Sequence, residues 1–428
     1  MAEQFGLIIG IYLLGLALRL PVAFVVGAAV IVFAMVFPVM PPVVVGQAML
    51  QGLERAPLAA VPAFMLAGAI MNAGGMTERL VGLVQVVLAP LRGGLAHANI
   101  GASIVFGGIS GSATADVAAI GSLFVPAMIR AGYSPAYAAA ITACSAIIGK
   151  LIPPSMTMVL FGLFNDAPID ALFVAGILPG LMMGGYLLAV SVIIARRRGY
   201  PRQRALPAWA EVAKAMRASV LALAMPVAIV IALSKGLATV NEVAALSAVY
   251  ALVVSTLIYR TLRLRDLYPV IRDSAVASAR LLSILALAGG LLWIFANMGA
   301  ANALNRSFSA LQLGPTALLA LVAVLLVVIG TVIGPAIQII LIAPALSPVL
   351  VAAGVDIVHF GVVAVLAAGI GLLTPPVGIL LYLCAAQAGV GVAAVVRESL
   401  PFLAALLALL ASIVAFPALS IGLVELWR

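Results

Sequence analysis

The fold is decided by two short stretches, IGKLIPP at residues 148–154 and IGLLTPP at residues 370–376. Each stretch lies inside a long apolar segment and ends in a Pro-Pro pair. Proline has no backbone N–H and its ring clashes with the preceding helical turn, so an α-helix cannot run undisturbed through either pair. The sequence therefore predicts two long apolar helices that are each broken near the middle.

The composition predicts that most of the surface faces lipid. Of the 428 residues, 65% are apolar and 8% are charged, whereas about 25% of the residues in a soluble domain are charged. This composition excludes a cytosolic enzyme, a secreted disulfide scaffold and a disordered chain. The cysteines, Cys144 and Cys384, lie in apolar runs and are predicted to be small buried hydrophobes. We expect an all-α polytopic membrane protein.

Many apolar segments are long enough to cross about 30 Å of hydrocarbon. The predicted spans are 5–19, 21–38, 57–73, 135–163, 170–195, 217–234, 238–259, 278–297, 358–386 and 401–424. Two further apolar stretches, 96–131 and 314–351, are longer than one crossing needs and contain Gly, Ser or Pro near their middles. These two stretches are predicted to be re-entrant helical hairpins.

Basic residues predict the orientation, because they are enriched on the cytoplasmic side. Two clusters follow spans that are separated by two crossings, so both clusters lie on the same face: Arg196, Arg197, Arg198, Arg202 and Arg204, and then Arg260, Arg263, Arg265 and Arg272. The net charge of +9 is therefore a sign of topology and not of nucleic-acid binding. The amphipathic stretches 206–216 and 261–277 are predicted to be arms along the interface.

An internal repeat appears when the chain is compared with itself at an offset of 222 residues. The coinciding residues are Gly108 with Gly330, Pro126 with Pro348, Gly132 with Gly354, Gly149 with Gly371, and Pro153-Pro154 with Pro375-Pro376. We interpret this as two inverted repeats, each with a re-entrant helical hairpin and a broken transmembrane helix. Broken helices at corresponding places in two halves are typical of the midplane site of a secondary transporter. Kinks that only shape packing would explain one Pro-Pro pair better than two in register.

The turn of the first hairpin is rich in oxygen donors, since residues 107–116 read GGISGSATAD. Hard cations prefer oxygen ligands, although small residues also pack helices closely in membranes. An acid such as Asp116 inside an apolar stretch indicates function. It is open from the sequence whether Asp116 caps the returning helix, pairs with a base or serves an ion.

At these motifs the chain resembles the large membrane subunit of the tripartite ATP-independent periplasmic (TRAP) transporters. The matching motifs are LPVAF at 20–24, PAF at 62–64, GGLA at 93–96, ISGSA at 109–113, IPPS at 152–155, Pro344 with Pro348, and GLLTPPVG at 371–378. The resemblance covers essentially the whole chain. It implies an elevator-type carrier of the ion-transporter superfamily, in which a transport domain moves against a scaffold.

The resemblance also implies the transport reaction and the partners. Family members import small organic acids that a periplasmic binding protein delivers, and they couple uptake to a sodium gradient. They lie in the bacterial inner membrane with a small subunit of about four helices, which we expect here on a separate chain. We expect no cofactor besides Na⁺ as coupling ion.

The implied domains alternate along the chain. Scaffold and interfacial helices of the first repeat occupy 1–90, the first hairpin and broken helix of the transport domain 91–165, connecting and scaffold helices with interfacial arms 166–300, the second hairpin and broken helix 301–390, and a C-terminal helix 391–428.

The resemblance implies two cation sites, with Na⁺ as the metal and no transition metal. One lies between the first hairpin tip, Ser110, Gly111 and Ser112, and the first break at Gly149, Pro153 and Ser155. The other lies between Gly330 and Gly334 of the second hairpin and Gly371, Thr374 and Pro375 of the second break. Substrate is expected between the two tips, near Ser112, Asp116, Lys150, Ser155 and Thr374.

Two positions depart from the family pattern. Relatives usually carry an acid where this chain has Gly334 and often an asparagine where it has Ala367. We therefore expect the second cation site to be weakened or to consist of backbone carbonyls alone. Lys150, whose repeat mate is Leu372, supplies a fixed positive charge or helps to hold an acidic substrate; alternatively it snorkels or pairs with Asp116.

Other functions have less support from the sequence. An intramembrane enzyme needs a Ser/His, paired-Asp or metal constellation, whereas the repeat mate of Asp116 is Gln338, so the chain is predicted not to be an enzyme. A twofold repeat with broken helices and no ring of charges favours alternating access over a passive channel. A stand-alone cation/carboxylate carrier of the same superfamily stays open as an alternative. His97 and His359 are predicted to be loop or interface residues.

Overall fold

The computed structural model describes residues 2–18, 20, 22–37, 41–54, 56–88, 90–201 and 207–427. Within these ranges the regular elements are all helical. The first ten helices are α1 Ala2–Ala17, α2 Val22–Val36, α3 Pro42–Leu53, α4 Ala60–Ala73, α5 Met76–Leu88, α6 Gly94–Ser110, α7 Ala113–Arg130, α8 Pro135–Ala146, α9 Met156–Phe164 and α10 Ile169–Arg197.

The second part of the chain continues with eleven helices in its described ranges. They are α11 Trp209–Ser234, α12 Val240–Val253, α13 Leu264–Asn297, α14 Ala300–Ser309, α15 Pro315–Gly330, α16 Pro335–Ile337, α17 Ala343–Ala352, α18 Ile357–Gly371, α19 Ile379–Ala388, α20 Val392–Ala415 and α21 Ala418–Trp427. Seven helical segments of the described chain are long and apolar enough to cross a membrane, or eight if the bent pair formed by α3 and α4 counts as one span. This agrees with the predicted polytopic membrane protein.

Two helical hairpins occur where the sequence predicts them. In the first, α6 and α7 pack against each other and are joined by Gly111 and Ser112. In the second, α15 packs against α17, and a turn at 331–334 leads into α16. A π-helical turn, Gln338–Ile342, connects α16 to α17.

Both helices that contain the Pro-Pro pairs are broken, as predicted. After α8 the chain makes one 3-10 turn, Ile147–Lys150, then loses helical structure until α9 begins. The helix α18 ends at Gly371, and α19 begins only at Ile379. The peptide bonds of both pairs, Pro153-Pro154 and Pro375-Pro376, are cis.

The hairpins and broken helices form one packed group. The half-helix α19 of the second break packs on α7 and α8, while α18 packs on α9. The aromatic rings of Phe161 in α9 and Phe360 in α18 meet edge to face with centroids 5.4 Å apart, a favourable ring geometry. Another group contains α13 packed on α2, α3 and α4, together with α12 on α4 and α11 on α5.

Several predicted boundaries are wrong. Neither interfacial arm is a separate element, because α11 runs from Trp209 through the following span and α13 from Leu264 through the next. No break-forming residue separates either stretch from its span, so the helical hydrogen bonds continue. Arg202 and Arg204 lie outside the described residues. At the C-terminus the region 391–428 holds two helices, since α20 begins at Val392 and ends before Pro417.

The prediction for the two histidines is also wrong. His97 in α6 is buried, with Nδ1 3.1 Å from the Ser191 hydroxyl and Nε2 2.9 Å from the Arg92 carbonyl. His359 in α18 is buried as well, with Nδ1 2.6 Å from the Ser420 hydroxyl. Both rings are core residues whose serine partners come from distant helices. Both cysteines are buried in the core, as predicted.

Candidate cation and substrate site

The first hairpin meets the first broken helix backbone to backbone at one point. A Cβ atom placed on Gly107 of α6 would lie 2.5 Å from the Cα of Gly149. No side chain fits between atoms at that distance, so glycine is required for this approach. We call this contact the first glycine crossing.

The tip of the first hairpin faces carbonyl oxygens of the break. A Cβ on Gly108 would lie 3.2 Å from the Pro153 oxygen, and one on Gly111 would lie 2.6 Å from the Pro154 oxygen. Gly111 has a φ of +56°, in the left-handed region that favours glycine. Since the break frees carbonyls from helical hydrogen bonding, oxygen ligands face the tip at this point.

The predicted residues of the first site are therefore largely brought together. Gly111, Gly149, Pro153 and Ser155 lie at the contact of tip and break, and all four are buried. Ser112 at the tip is half-buried and extended, and its hydroxyl oxygen lies 3.1 Å from that of Thr114. The side chain of Ser110 lies outside the described residues.

The Ser155 hydroxyl links the two sides of the first break. It donates a hydrogen bond to the Lys150 carbonyl, which lies before the break. It also accepts one from the backbone N–H of Met158 at 3.3 Å and so caps α9. One side chain thereby fixes the geometry of the broken segment.

Two buried charged residues lie beside the first crossing. Asp116, in the first turn of α7, is fully buried, and its Oδ2 would lie 2.8 Å from a Cβ on Gly149. Lys150 is 7% exposed, and its Cδ would lie 3.4 Å from a Cβ on Gly369 in α18. The lysine stem thus lies between the two broken helices, where its charge interacts with that of Asp116.

The second hairpin repeats the backbone contact of the first. A Cβ on Gly371, the last residue of α18, would lie 2.5 Å from the Cα of Gly330, which ends α15. We call this contact the second glycine crossing. It brings together two of the predicted residues of the second cation site.

The rest of the predicted second site is more open. A Cβ on Gly334 would meet no atom within 4 Å. Thr374 is half-buried and donates a hydrogen bond to the Ile370 carbonyl at 2.9 Å, while Pro375 is exposed. The first break is therefore covered by its hairpin tip, whereas the second break is open at its surface.

Sequence reasoning missed Gln338 as a candidate site residue. Its side chain is fully buried and donates from Nε2 to the Leu326 carbonyl, whereas its Oε1 has no hydrogen-bond partner in the described part of the chain. That oxygen would lie 3.2 Å from a Cβ on Gly330. The signal was present in the sequence, because Gln338 is the repeat mate of Asp116.

A cavity of about 800 Å³ lies away from both breaks. It is formed where α9 ends and α10 begins, next to the turn between α11 and α12, and includes Gly162, Asp166, Asp170 and Thr239. It therefore lies at the opposite end of α10 from Arg196 and Arg197, which are in the last turn of that helix.

These features define a polytopic membrane protein with two hairpins packed against two broken helices. The family described as "Tripartite ATP-independent periplasmic transporter, DctM component" matches residues 9–419. The chain belongs to this family and is the large membrane subunit of a TRAP transporter, as the sequence motifs predicted.

Individual relatives agree with this assignment. The large permease protein SiaM of a sialic acid TRAP transporter from Vibrio cholerae is 36% identical over 383 residues, covering 89% of each chain. The large permease protein DctM of a C4-dicarboxylate TRAP transporter from Pseudomonas aeruginosa is 34% identical and covers 86% of each chain. The crystal structure of the YdaH transporter from Alcanivorax borkumensis shares the fold, with a TM-score of 0.61 at 16% identity over 86% of each chain.

The glycine crossings make a prediction about packing. Gly149→Ala and Gly371→Ala each place a methyl group against backbone, and we expect each to destabilise the protein by about 1–3 kcal/mol. Gly185→Ala is the matched control, because a Cβ there meets no atom within 4 Å; in a helix interior this change is neutral or stabilising. Melting temperatures of the detergent-solubilised variants test this, and equal values for Gly149→Ala and Gly185→Ala would contradict the crossing.

The two buried charges make a second prediction. If Lys150 and Asp116 stabilise one another, Lys150→Met and Asp116→Asn each leave a buried charge uncompensated and lower the melting temperature strongly. The double variant removes both charges, so we expect it to be more stable than the sum of the two losses predicts. Strictly additive losses would show that the two side chains do not act as a pair.

Proposed function

We propose that this subunit imports a small organic acid that a periplasmic binding protein delivers, driven by a sodium gradient. The observation that carries the proposal is the pair of glycine crossings, where each hairpin meets a broken helix. Broken helices at matching places in two halves are how many secondary transporters build their ion and substrate sites.

The substrate class is supported by the relatives. The names of three relatives give sialic acid, C4-dicarboxylates and 2,3-diketo-L-gulonate, the last for the large permease protein YiaN of Escherichia coli, which is 33% identical over 96% of this chain. Each of these compounds carries a carboxylate group. In this chain Lys150 offers a buried positive charge near the breaks. The hydroxyl groups of Ser112 and Thr374 are the proposed hydrogen-bonding groups for the substrate.

The coupling ion is proposed to bind where backbone oxygens converge. At the first crossing the carbonyls of Pro153 and Pro154 face the hairpin tip, and oxygen is the ligand that hard cations prefer. A bound cation offsets the negative charge of Asp116 and of an arriving carboxylate. Cation and substrate therefore favour each other's binding, which is the basis of coupled uptake.

The proposed mechanism is an elevator motion. The two hairpins and broken helices, at 91–165 and 301–390, form the transport domain, which moves against the helices of 1–90 and 166–300. The packing of α19 on α7 and α8 supports a transport domain that holds both halves. The matching hairpin, crossing and Pro-Pro break in each half support two inverted repeats.

The location and partners follow from the same proposal. We place the subunit in the bacterial inner membrane, with the arginines after α10 in the cytoplasm. A small four-helix membrane subunit and a periplasmic binding protein complete the transporter.

Reconstituted transport tests this function. The chain and its small subunit are placed in liposomes, and uptake of radiolabelled organic acids is measured with and without the binding protein and with sodium or choline outside. We expect uptake that needs both the binding protein and sodium. Dissipating the sodium gradient with an ionophore should abolish accumulation, because the gradient supplies the energy.

Two outcomes would overturn parts of the proposal. Uptake that ignores the binding protein would favour the alternative, a stand-alone cation/carboxylate carrier. Accumulation that is the same in choline would show that sodium is not the coupling ion. Liposomes with the small subunit alone are the control for leakage.

A further inference from the structure

We infer that the side-chain oxygen of Gln338 is a ligand of the second coupling cation, in a chain that lacks an acid at Gly334. This inference rests on the proposed function, because it names a residue for a site that the proposed function requires. It differs from a site made of backbone carbonyls alone, which the sequence left as an expectation.

The orientation of the Gln338 amide is fixed by its partner. The Leu326 carbonyl can only accept a hydrogen bond, so the NH₂ group must face it. The oxygen Oε1 consequently points the other way and is buried without a hydrogen-bond partner in the described part of the chain. A buried acceptor that is left unsatisfied is energetically costly, and a ligand bound at Oε1 would offset that cost.

The direction in which Oε1 points locates the proposed second cation. The oxygen would lie 3.2 Å from a Cβ on Gly330, while the same Cβ would lie 3.1 Å from the Cα of Gly371. Gln338 Oε1 therefore points at the second glycine crossing, where α18 ends at Gly371. The Gly330 carbonyl oxygen lies there as well, since it would be 3.0 Å from a Cβ on Gly371. Side-chain and backbone oxygens thus converge at one point.

The local helix supports this arrangement. Gln338 lies one turn after Gly334, and helical side chains lean toward the N-terminus, here toward the hairpin tip. The residue also begins the π-helical turn Gln338–Ile342, a distortion that is frequent at functional sites.

In the first half of the chain, a charged side chain places its oxygen beside the glycine crossing. Asp116, the repeat mate of Gln338, is fully buried with Oδ2 beside Gly149 of the first crossing. Each half thus places one side-chain oxygen at its crossing, a carboxylate in the first and an amide in the second. Since an amide carries no net charge, we expect the second cation to bind more weakly than the first.

A cation fits Oε1 better than the carboxylate of the substrate does. An amide oxygen is an acceptor only, and a carboxylate offers it no hydrogen. A water molecule is the other group that would satisfy it. A water molecule at this position would not make transport depend on sodium concentration. Sodium dependence therefore distinguishes a bound cation from a bound water molecule.

The test compares four variants with the wild type in the complete transporter. Gln338→Leu and Gln338→Met remove the oxygen, Gln338→Glu adds a charge, and Gln387→Leu is the control. Gln387 also donates its amide to a hairpin carbonyl, that of Val117, at 3.0 Å, but its side chain is exposed. Two quantities are measured: sodium-induced stabilisation of the purified protein at constant ionic strength, and uptake as a function of sodium concentration.

We expect Gln338→Leu and Gln338→Met to raise the half-saturating sodium concentration about tenfold, the effect of losing one buried ligand interaction. The Hill coefficient of uptake for sodium should fall by about one, while Gln387→Leu keeps the wild-type values. Gln338→Glu should retain the steep dependence and bind sodium more tightly. If Gln338→Leu fails to fold, Gln338→Met and Gln338→Glu still give the comparison.

The outcomes distinguish this inference from the proposed function. If the wild type depends steeply on sodium and the Gln338 variants keep its sodium dependence, the inference is wrong and sodium coupling stands. If the wild type shows neither sodium-induced stabilisation nor sodium-dependent uptake, both the coupling ion and the Gln338 site are wrong.

Discussion

The structure depends on one constraint, that backbone polar groups freed inside an apolar protein must find partners. Two Pro-Pro pairs interrupt apolar helices and free carbonyls at matching places. A hairpin packs against each break, and glycine makes the approach close enough, at Gly107 with Gly149 and at Gly330 with Gly371. Covering the breaks with backbone concentrates oxygen atoms in an otherwise apolar core. These clustered oxygen atoms are the proposed ligands of the coupling cations.

The two glycine crossings differ in how far they are covered and in the charges beside them. The first crossing is covered by its hairpin tip, and it holds the buried charges of Asp116 and Lys150. The second is more open, with an exposed Pro375 and a neutral Gln338 in place of an acid. In the proposed function this asymmetry gives two cation sites of unequal affinity, the stronger of which prepares the site while the weaker one couples to substrate arrival. The elevator proposal requires both halves to move together, which the packing of α19 on α7 and α8 favours.

Much of this architecture could be predicted from sequence, because Gly and Pro act locally. The broken helices and both hairpins follow from residues whose backbone preferences need no tertiary context, whereas the placing of Gly149 and Gly371 beside the hairpins was implied by the family resemblance. The repeat pairs Gln338 with Asp116, but the direction in which its amide points could not be predicted, since it depends on helix phase and on a π-helical turn. His97 and His359 were misjudged for a similar reason, because their serine partners lie 94 and 61 residues away in sequence. The continuous α11 and α13 show that an amphipathic stretch does not end a helix without a breaking residue.

The central claim is that the two glycine crossings are cation sites of one transport domain. The most direct measurement is a pair of high-resolution cryo-electron microscopy maps of the complete transporter, one in sodium and one in choline. The account predicts density at both crossings that is coordinated by oxygen in sodium and absent in choline, with Gln338 Oε1 in contact at the second. Maps that are identical in the two buffers, with no density at either crossing, would contradict it.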